Sequence, residues 1–206
     1  TAPSNVSGNT IHTLGLNGTS TTSALSNIGI FYSGPTTGTN TISKNFIHNL
    51  SVTAANNFAT ITGIECGGGF STYHNNMISL GVDENGADIS TTLVINGIKK
   101  ATTVANNFYF NTVYIGGSGV SISASGNNTA AFVRTTSPTS TPNDKINNNI
   151  FVNNRSNGST GTSYHSAIRL NSGITFLTSN NNDFFTSGND GVEGIISNYT
   201  FCSNIA

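Results

Sequence analysis

The sequence predicts an all-β fold, a right-handed parallel β-helix of about six coils of about 33 residues each. Three observations predict it: two short motifs that recur along the chain, apolar runs of strand length that end in turn residues, and the lack of any sustained helical periodicity. The 206 residues fit one domain spanning 1–206. We expect this domain to be a piece of a larger repeat protein, with an irregular last coil at about 180–206.

The first motif is an Asn followed by a short apolar run. It begins at Asn9, Asn45, Asn76, Asn107, Asn149 and Asn182. Asn tolerates the left-handed backbone conformation of a tight bend, and in a stack its amide can bond to the Asn above and below. Because side chains alternate along a strand, the second residue after each Asn should face the core. This predicts a core ladder of Ile11, Ile47, Ile78, Tyr109, Phe151 and Phe184.

The second motif is a small residue followed by a large apolar one. It occurs at Gly29-Ile30, Gly63-Ile64, Gly97-Ile98, Ala131-Phe132, Ala167-Ile168 and Gly194-Ile195. The apolar members should fill a second wall of the core, and the small members predict tight backbone packing or a turn.

The two motifs alternate six times along the chain, and the apolar runs between them end in Asn, Gly or Ser, which is typical of strands and turns. Gly and β-branched residues interrupt every candidate helical window. Variable spacing between motifs places the insertions near 83–89, 116–126 and 138–145.

The composition excludes several classes of function. Charged residues make up 7% of the chain and the net charge is −1, with 7 Lys+Arg, so we expect no nucleic-acid binding. No run approaches the roughly 18 apolar residues of a membrane span, so we expect no membrane insertion. Cys66 and Cys202 lie four coils apart, about 19 Å at the strand spacing, which is too far for a disulfide.

Several runs resemble the right-handed β-helix repeats of secreted and cell-surface proteins of Bacteroidetes-type bacteria that use type IX secretion, within the pectate-lyase-like superfold. The runs that carry the resemblance begin at Asn107, Ala130, Asn147, His165 and Ser179, and include NNNIFVNNR and SNNNDFF. The resemblance implies an extracellular or cell-surface location. It implies no single activity, because this superfold hosts lyases, hydrolases, tailspikes and adhesins.

One candidate ligand site lies on an outward ladder just after the second motif. Its members would be Phe31, Glu65, Lys99, Val133, Arg169 and Ile196. Glu65 and Lys99 should be neighbours on adjacent coils, either as a simple cross-strand ion pair or, with Lys100 and Arg169, as a site for a sugar acid.

A second candidate is an apolar stripe on the outside of the helix. Read literally, the first motif turns Phe46, Met77, Phe108 and Ile150 outward, and large exposed apolar stripes mark partner or ligand surfaces. Alternatively, a loop covers the stripe or the Asn bend shifts its register. His12 should stack over His48 on a neighbouring outward ladder.

A third candidate is a cation site at Asp83, Asn85 and Asp88. Oxygen ligands around Gly86 suit a hard cation such as Ca²⁺, whereas the simpler interpretation is an exposed acidic loop. We expect no other cofactor.

The residues do not contain a familiar catalytic motif. We therefore expect a non-catalytic extracellular module that acts as an adhesin, a fibre or structural subunit, or a glycan-binding platform, with possible end-to-end self-association. The alternative function is a polysaccharide lyase or glycoside hydrolase of the pectate-lyase-like type. Ice binding by Thr arrays is the least favoured.

Overall fold

The computed structural model describes residues 3–18, 24–53, 58–121, 128–159 and 163–196, and the backbone of 200–202. In this part of the chain every regular element is a strand. The strands are β1 (Asn5–Ser7), β2 (Thr10–Asn17), β3 (Ser26–Ser33), β4 (Asn40–Ser43), β5 (Phe46–Thr53), β6 (Thr60–Gly68), β7 (Ser71–His74), β8 (Met77–Leu80), β9 (Val94–Lys100), β10 (Asn107–Tyr109), β11 (Thr112–Ile115), β12 (Thr129–Arg134), β13 (Asp144–Asn147), β14 (Ile150–Asn153), β15 (His165–Leu170), β16 (Leu177–Asn180), β17 (Asp183–Thr186), β18 (Gly191–Ile196) and β19 (Thr200–Cys202).

The strands form three parallel sheets around one core. Each coil gives one strand to each sheet in turn: β1–β3 form coil 1, and the pattern continues to β16–β18 in coil 6. Sheet A holds the first strand of each coil, sheet B the second and sheet C the third. Because every strand from β1 to β18 pairs in parallel with the equivalent strand of the next coil, the chain is a parallel β-helix, as the repeats predict.

The edge of sheet C at coil 6 departs from this pattern. There β19 pairs antiparallel with β18, so that Gly194 faces Cys202 and Ile196 faces Thr200. Among the described residues, no helix is long and apolar enough to cross a membrane.

The predicted Asn ladder is present at the turn between sheets A and B, with one correction. Its side chains form a chain of amide hydrogen bonds through Asn9, Asn45, Asn76, Asn111, Asn149 and Asn182. The prediction of Asn107 for coil 4 was wrong, because Asn107 begins β10 in sheet A, before the turn.

The same shift corrects the core of coil 4. Val113, not Tyr109, pairs with Ile78 and Phe151 in the ladder of sheet B. Tyr109 is half-buried and pairs with His74 and Asn147 in sheet A. Phe108, which we expected on the surface, is fully buried and stacks on Tyr73 with ring centroids 5.0 Å apart. Its apolar ring fills the core because β10 turns alternate residues inward.

The second core ladder is confirmed through five coils and displaced in the sixth. Ile30, Ile64, Ile98, Phe132 and Ile168 pair in register. In coil 6 Gly194 takes this position, whereas Ile195 pairs with Arg169 and is still buried. In the same register Gly191 pairs with His165, which is buried.

The small residues of the second motif mark a place where two sheets approach closely. A Cβ atom built on Gly63 would lie 2.7 Å from the Gly97 carbonyl oxygen and 2.7 Å from Cγ2 of Ile78. A larger side chain at this position would overfill the core, which explains the recurrent Gly or Ala. Cys66 is buried and free, as predicted, and the side chain of Cys202 lies outside the described residues.

Candidate functional site

An apolar and aromatic surface covers the outer face of sheet B on coils 2–5. We define the sheet B platform as the eight outward side chains of this face: Phe46, His48, Met77, Ser79, Thr112, Tyr114, Ile150 and Val152. Met77 is 52% exposed, Ile150 44%, Tyr114 42% and Phe46 36%. The platform contains no Asp, Glu, Lys or Arg.

The platform side chains are exposed because side chains alternate along a strand, and their neighbours in sequence point into the core. The residues between its members, Ile47, Ile78, Val113 and Phe151, are buried and fill the core beneath it. The platform is therefore a rigid surface fixed by the core. Phe46 was correctly placed on this stripe, and Thr112 occupies the coil 4 position that we had assigned to Phe108.

At the coil 1 side the platform continues into a small stack of rings. The imidazoles of His12 and His48 stack with centroids 5.0 Å apart and an interplanar angle of 4°, as predicted. Phe46 stacks on His48 at 4.4 Å. No group of three potential metal ligands forms here or elsewhere in the described ranges.

An acidic pocket lies beside the platform, three residues further along β5. Its volume is about 170 Å³, and it is lined by Ser51, Val52, Thr53, Asp83, Glu84, Asp88, Ile89, Ser90 and Thr91. The loop between β8 and β9 forms its outer wall. Asn49 Nδ2 donates to the Asp83 carbonyl oxygen at 2.8 Å, and Ser51 Oγ donates to the Glu84 carboxylate, so this insertion is held against sheet B.

The predicted cation ligands are engaged within this loop. Asp83 Oδ1 accepts hydrogen bonds from the backbone N–H of Asn85 at 2.8 Å and of Ala87 at 2.9 Å. Asp88 Oδ2 accepts from the Ser118 hydroxyl at 2.6 Å and from its backbone N–H. Asp83 and Asp88 line the same pocket, whereas Asn85 does not. Calcium binding by the three residues stays a prediction.

On the outer face of sheet C, the structure brings together only part of the predicted ligand site. Lys99 Nζ lies 3.1 Å from Glu65 Oε1, as expected for neighbours on adjacent coils. Arg169 follows on the same ladder but is separated from Lys99 by Val133, which is fully buried. Two strand steps amount to about 10 Å. In coil 6 this ladder holds Ile195 in place of the expected Ile196.

Lys100, which we had grouped with Lys99, belongs instead to a buried ionic cluster between sheets C and A. Lys100 Nζ lies 3.2 Å and Arg134 Nε 2.9 Å from the same oxygen, Asp144 Oδ2. All three side chains are buried, and burial lowers the pKa of Lys100 and of Arg134 while the Asp144 carboxylate opposes that shift. Sequence reasoning missed this cluster. The burial of Lys100 could have been predicted, because adjacent side chains on a strand face opposite sides and Lys99 faces outward.

Arg134 connects the ionic cluster to the turn that leads into the next coil. Its guanidinium donates to the carbonyl oxygens of Gly173 at 2.9 Å, Thr175 at 2.6 Å and Phe176 at 3.2 Å. Asp144 Oδ1 accepts from the backbone N–H of Asn106 at 2.9 Å. These bonds satisfy the buried charges and hold the turns between sheets C and A.

A second buried network surrounds His165 between sheets B and C. His165 Nε2 lies 3.0 Å from Asn157 Oδ1, and Nδ1 lies 2.9 Å from Thr129 Oγ1. Asn157 Nδ2 donates to Asp190 Oδ2 at 2.7 Å and to the Ser163 carbonyl at 3.0 Å, so its oxygen must face the imidazole. The neutral ring therefore carries its proton on Nε2 and accepts the Thr129 hydroxyl at Nδ1.

Burial explains why this imidazole stays neutral. Desolvation, reinforced by the nearby Arg155 guanidinium and opposed by Asp190, lowers the pKa of His165 to about 4. The exposed fraction is at most 2% for each of Thr129, Asn157 and His165. The arrangement of a hydroxyl, an imidazole and an amide resembles a catalytic relay, but all three side chains are buried and form a polar part of the core.

A comparison with protein-family models, curated proteins and solved structures found no match to this chain. The repeated parallel β-helix is thus established by the structure itself. The resemblance to secreted Bacteroidetes-type proteins has no support from these comparisons and rests on the sequence motifs alone. Of the surfaces described above, the sheet B platform is the one that is exposed, rigid and unexplained by folding.

Proposed function

We propose that this protein is a non-catalytic, extracellular β-helical module that binds a glycan on the sheet B platform. The observation that carries this proposal is the set of exposed apolar and aromatic side chains on the platform, with none of the four charged residue types among them. Folding gains nothing from leaving Met77, Tyr114 and Ile150 in water, and a contiguous exposed apolar surface is typical of a binding site.

The chemistry of the platform favours a sugar over other ligands. A sugar ring has an apolar C–H face and a rim of hydroxyls. The platform offers rings and aliphatic side chains for the first and the Ser79, Thr112 and Tyr114 hydroxyls for the second. A nucleic acid would need several cations to neutralise its phosphates, and the platform supplies none.

The rest of the chain supports a role outside the cell. The low charge, the regular polar ladders and the resemblance to repeats of secreted surface proteins agree with a stiff extracellular module. A rigid surface also binds with a smaller loss of conformational entropy than a mobile one. Adhesive and structural roles are compatible with glycan binding, since a stiff solenoid can carry such a surface.

The test is binding of the purified protein to a panel of insoluble and soluble polysaccharides. We expect retention on at least one of them, and a reduction of at least tenfold in affinity for Tyr114→Ala. Phe31→Ala is the matched control, because Phe31 is an aromatic residue with 59% exposure on sheet C, and we expect it to bind as the wild type does. Equal losses for both variants, or no retention of the wild type, would contradict the proposal.

The same assay distinguishes the competing catalytic function. A polysaccharide lyase releases unsaturated ends and a glycoside hydrolase releases new reducing ends. The appearance of either product, and its loss on Glu65→Gln, would overturn the non-catalytic proposal in favour of an enzyme acting at sheet C.

A further inference from the structure

One residue at the turn between sheets A and B has an unusual backbone conformation for its type. The same turn position has a positive φ in every coil, at Gly8, Lys44, Asn75, Phe110, Asn148 and Asn181. Gly and Asn adopt this left-handed conformation readily, whereas a bulky side chain does so only with strain. Phe110, with φ of 55°, is the only aromatic residue at this position.

Burial does not offset the strain at Phe110. The side chain is 57% exposed, more than any member of the sheet B platform. The neighbouring coils show that Asn forms the same turn, since Asn75 and Asn148 have φ of 54° and 57°. Strain without a compensating gain in packing is characteristic of functional positions.

Phe110 lies at the turn that leads into β11, close in sequence to the coil 4 members of the platform. It precedes Thr112 by two residues on the same coil, and Tyr109 and Tyr114 lie on either side of it in β10 and β11. The exposed amides of Asn75 and Asn148 occupy the equivalent positions one coil away in each direction, about 4.8 Å from it. An exposed ring thus stands between two hydrogen-bonding amides.

Few charged residues lie near Phe110 on this side of the β-helix. The cations nearest in the repeat are Lys44, two coils away at the same turn position, and Lys145, three residues before Asn148 on sheet A. The carboxylates described on the outer face of sheet B are that of Asp183, which begins β17 two coils from Thr112, and those of the acidic pocket at the far end of β5. They would repel a polymer of sugar acids.

We infer that Phe110 is a recognition residue for a neutral polysaccharide, and that its ring packs against a sugar ring while the Asn75 and Asn148 amides bond to hydroxyls. This inference rests on the proposed glycan binding and specifies its ligand class. The chain accepts a strained turn in coil 4 because the turn presents the ring to the ligand.

The decisive variant is Phe110→Asn, which gives coil 4 the residue that forms the same turn in coils 3 and 5. We expect its thermal unfolding midpoint to equal or exceed that of the wild type, because strain is removed. Its affinity for neutral polysaccharide should fall at least tenfold. Lys44→Asn makes the same kind of change two coils away and should leave the affinity unchanged.

The outcomes separate this inference from the proposed function. If the wild type retains no polysaccharide, the proposed function itself fails. If the wild type binds and Phe110→Asn binds equally well, or if that variant unfolds at a clearly lower temperature, Phe110 is not a recognition residue. If the wild type binds only polymers of sugar acids, the platform still binds glycans but the assigned ligand class is wrong.

Discussion

His165 illustrates how a single buried residue ties this fold to pH. Its pKa falls from 6.5 to about 4 in the folded chain, chiefly through burial. Between these values the unfolded chain binds a proton that the folded chain does not. The neutral imidazole therefore contributes stability that is complete above pH 6.5 and is lost as the pH falls towards 4.

From this shift we predict that the free energy of unfolding decreases by about 2 kcal/mol between pH 7.5 and pH 5 through His165 alone. Urea titrations at several pH values measure the effect. His165→Gln cannot titrate, so its stability should be lower at pH 7.5 but nearly flat over the same interval. An equally steep loss in this variant would assign the pH dependence to other groups.

At the level of the element, the Asn ladder between sheets A and B is the most regular structure in the chain. Asn111 is 1% exposed and lies in the middle of the ladder. Its Nδ2 donates to the Tyr73 carbonyl at 2.9 Å and to Asn149 Oδ1 at 3.0 Å, and its Oδ1 accepts from the backbone N–H and the Nδ2 of Asn76. One amide thus satisfies buried groups on two neighbouring coils.

We predict that Asn111→Ala lowers the free energy of unfolding by about 3 kcal/mol, because it leaves several buried donors and acceptors without a partner. Asn9→Ala is the control at the edge of the ladder. Asn9 is exposed and bonds only to Asn45 within the ladder, so its loss should cost about 1 kcal/mol. Denaturant unfolding of both variants would test this difference, and equal losses would contradict the role of burial.

The same ladder shows what the sequence could and could not predict. Repeated Asn and Gly residues identify the coil and most of its register, because they are required at bends and close approaches. Coil 4 offers both Asn107 and Asn111 before apolar residues, and periodicity alone does not choose between them. Packing decides: with Asn111 at the turn, Phe108 reaches the core beside Tyr73.

The platform was predictable only in outline for the same reason. Strand alternation placed Phe46, Met77 and Ile150 outside, as the structure confirms. The strain at Phe110 depends on its backbone dihedral angles. The buried ion pair of Lys100 depends on Asp144, which lies more than 40 positions away in the sequence. Neither can be obtained from a local pattern.

At the scale of the whole molecule, the buried ionic cluster links four successive coils of the stack. In a solenoid each coil contacts mainly its neighbours, so stability is nearly a sum of local terms and partial unfolding is easy. The ionic cluster departs from this pattern. It joins Lys100 of coil 3, Arg134 of coil 4, Asp144 of coil 5 and, through Arg134, the turn that leads to coil 6.

We therefore predict that Asp144→Ala lowers the free energy of unfolding by about 3–5 kcal/mol and also weakens the coupling between coils, because it leaves two buried cations unpaired. Hydrogen exchange should show protection lost together in β9, β12 and β13, while β5 and β8 remain protected. Glu65→Gln breaks the partly exposed ion pair with Lys99 and should cost at most about 1 kcal/mol without this regional loss. If exchange in Asp144→Ala instead rises uniformly along the chain, the cluster contributes stability but does not couple the coils, and the stack is cooperative for another reason.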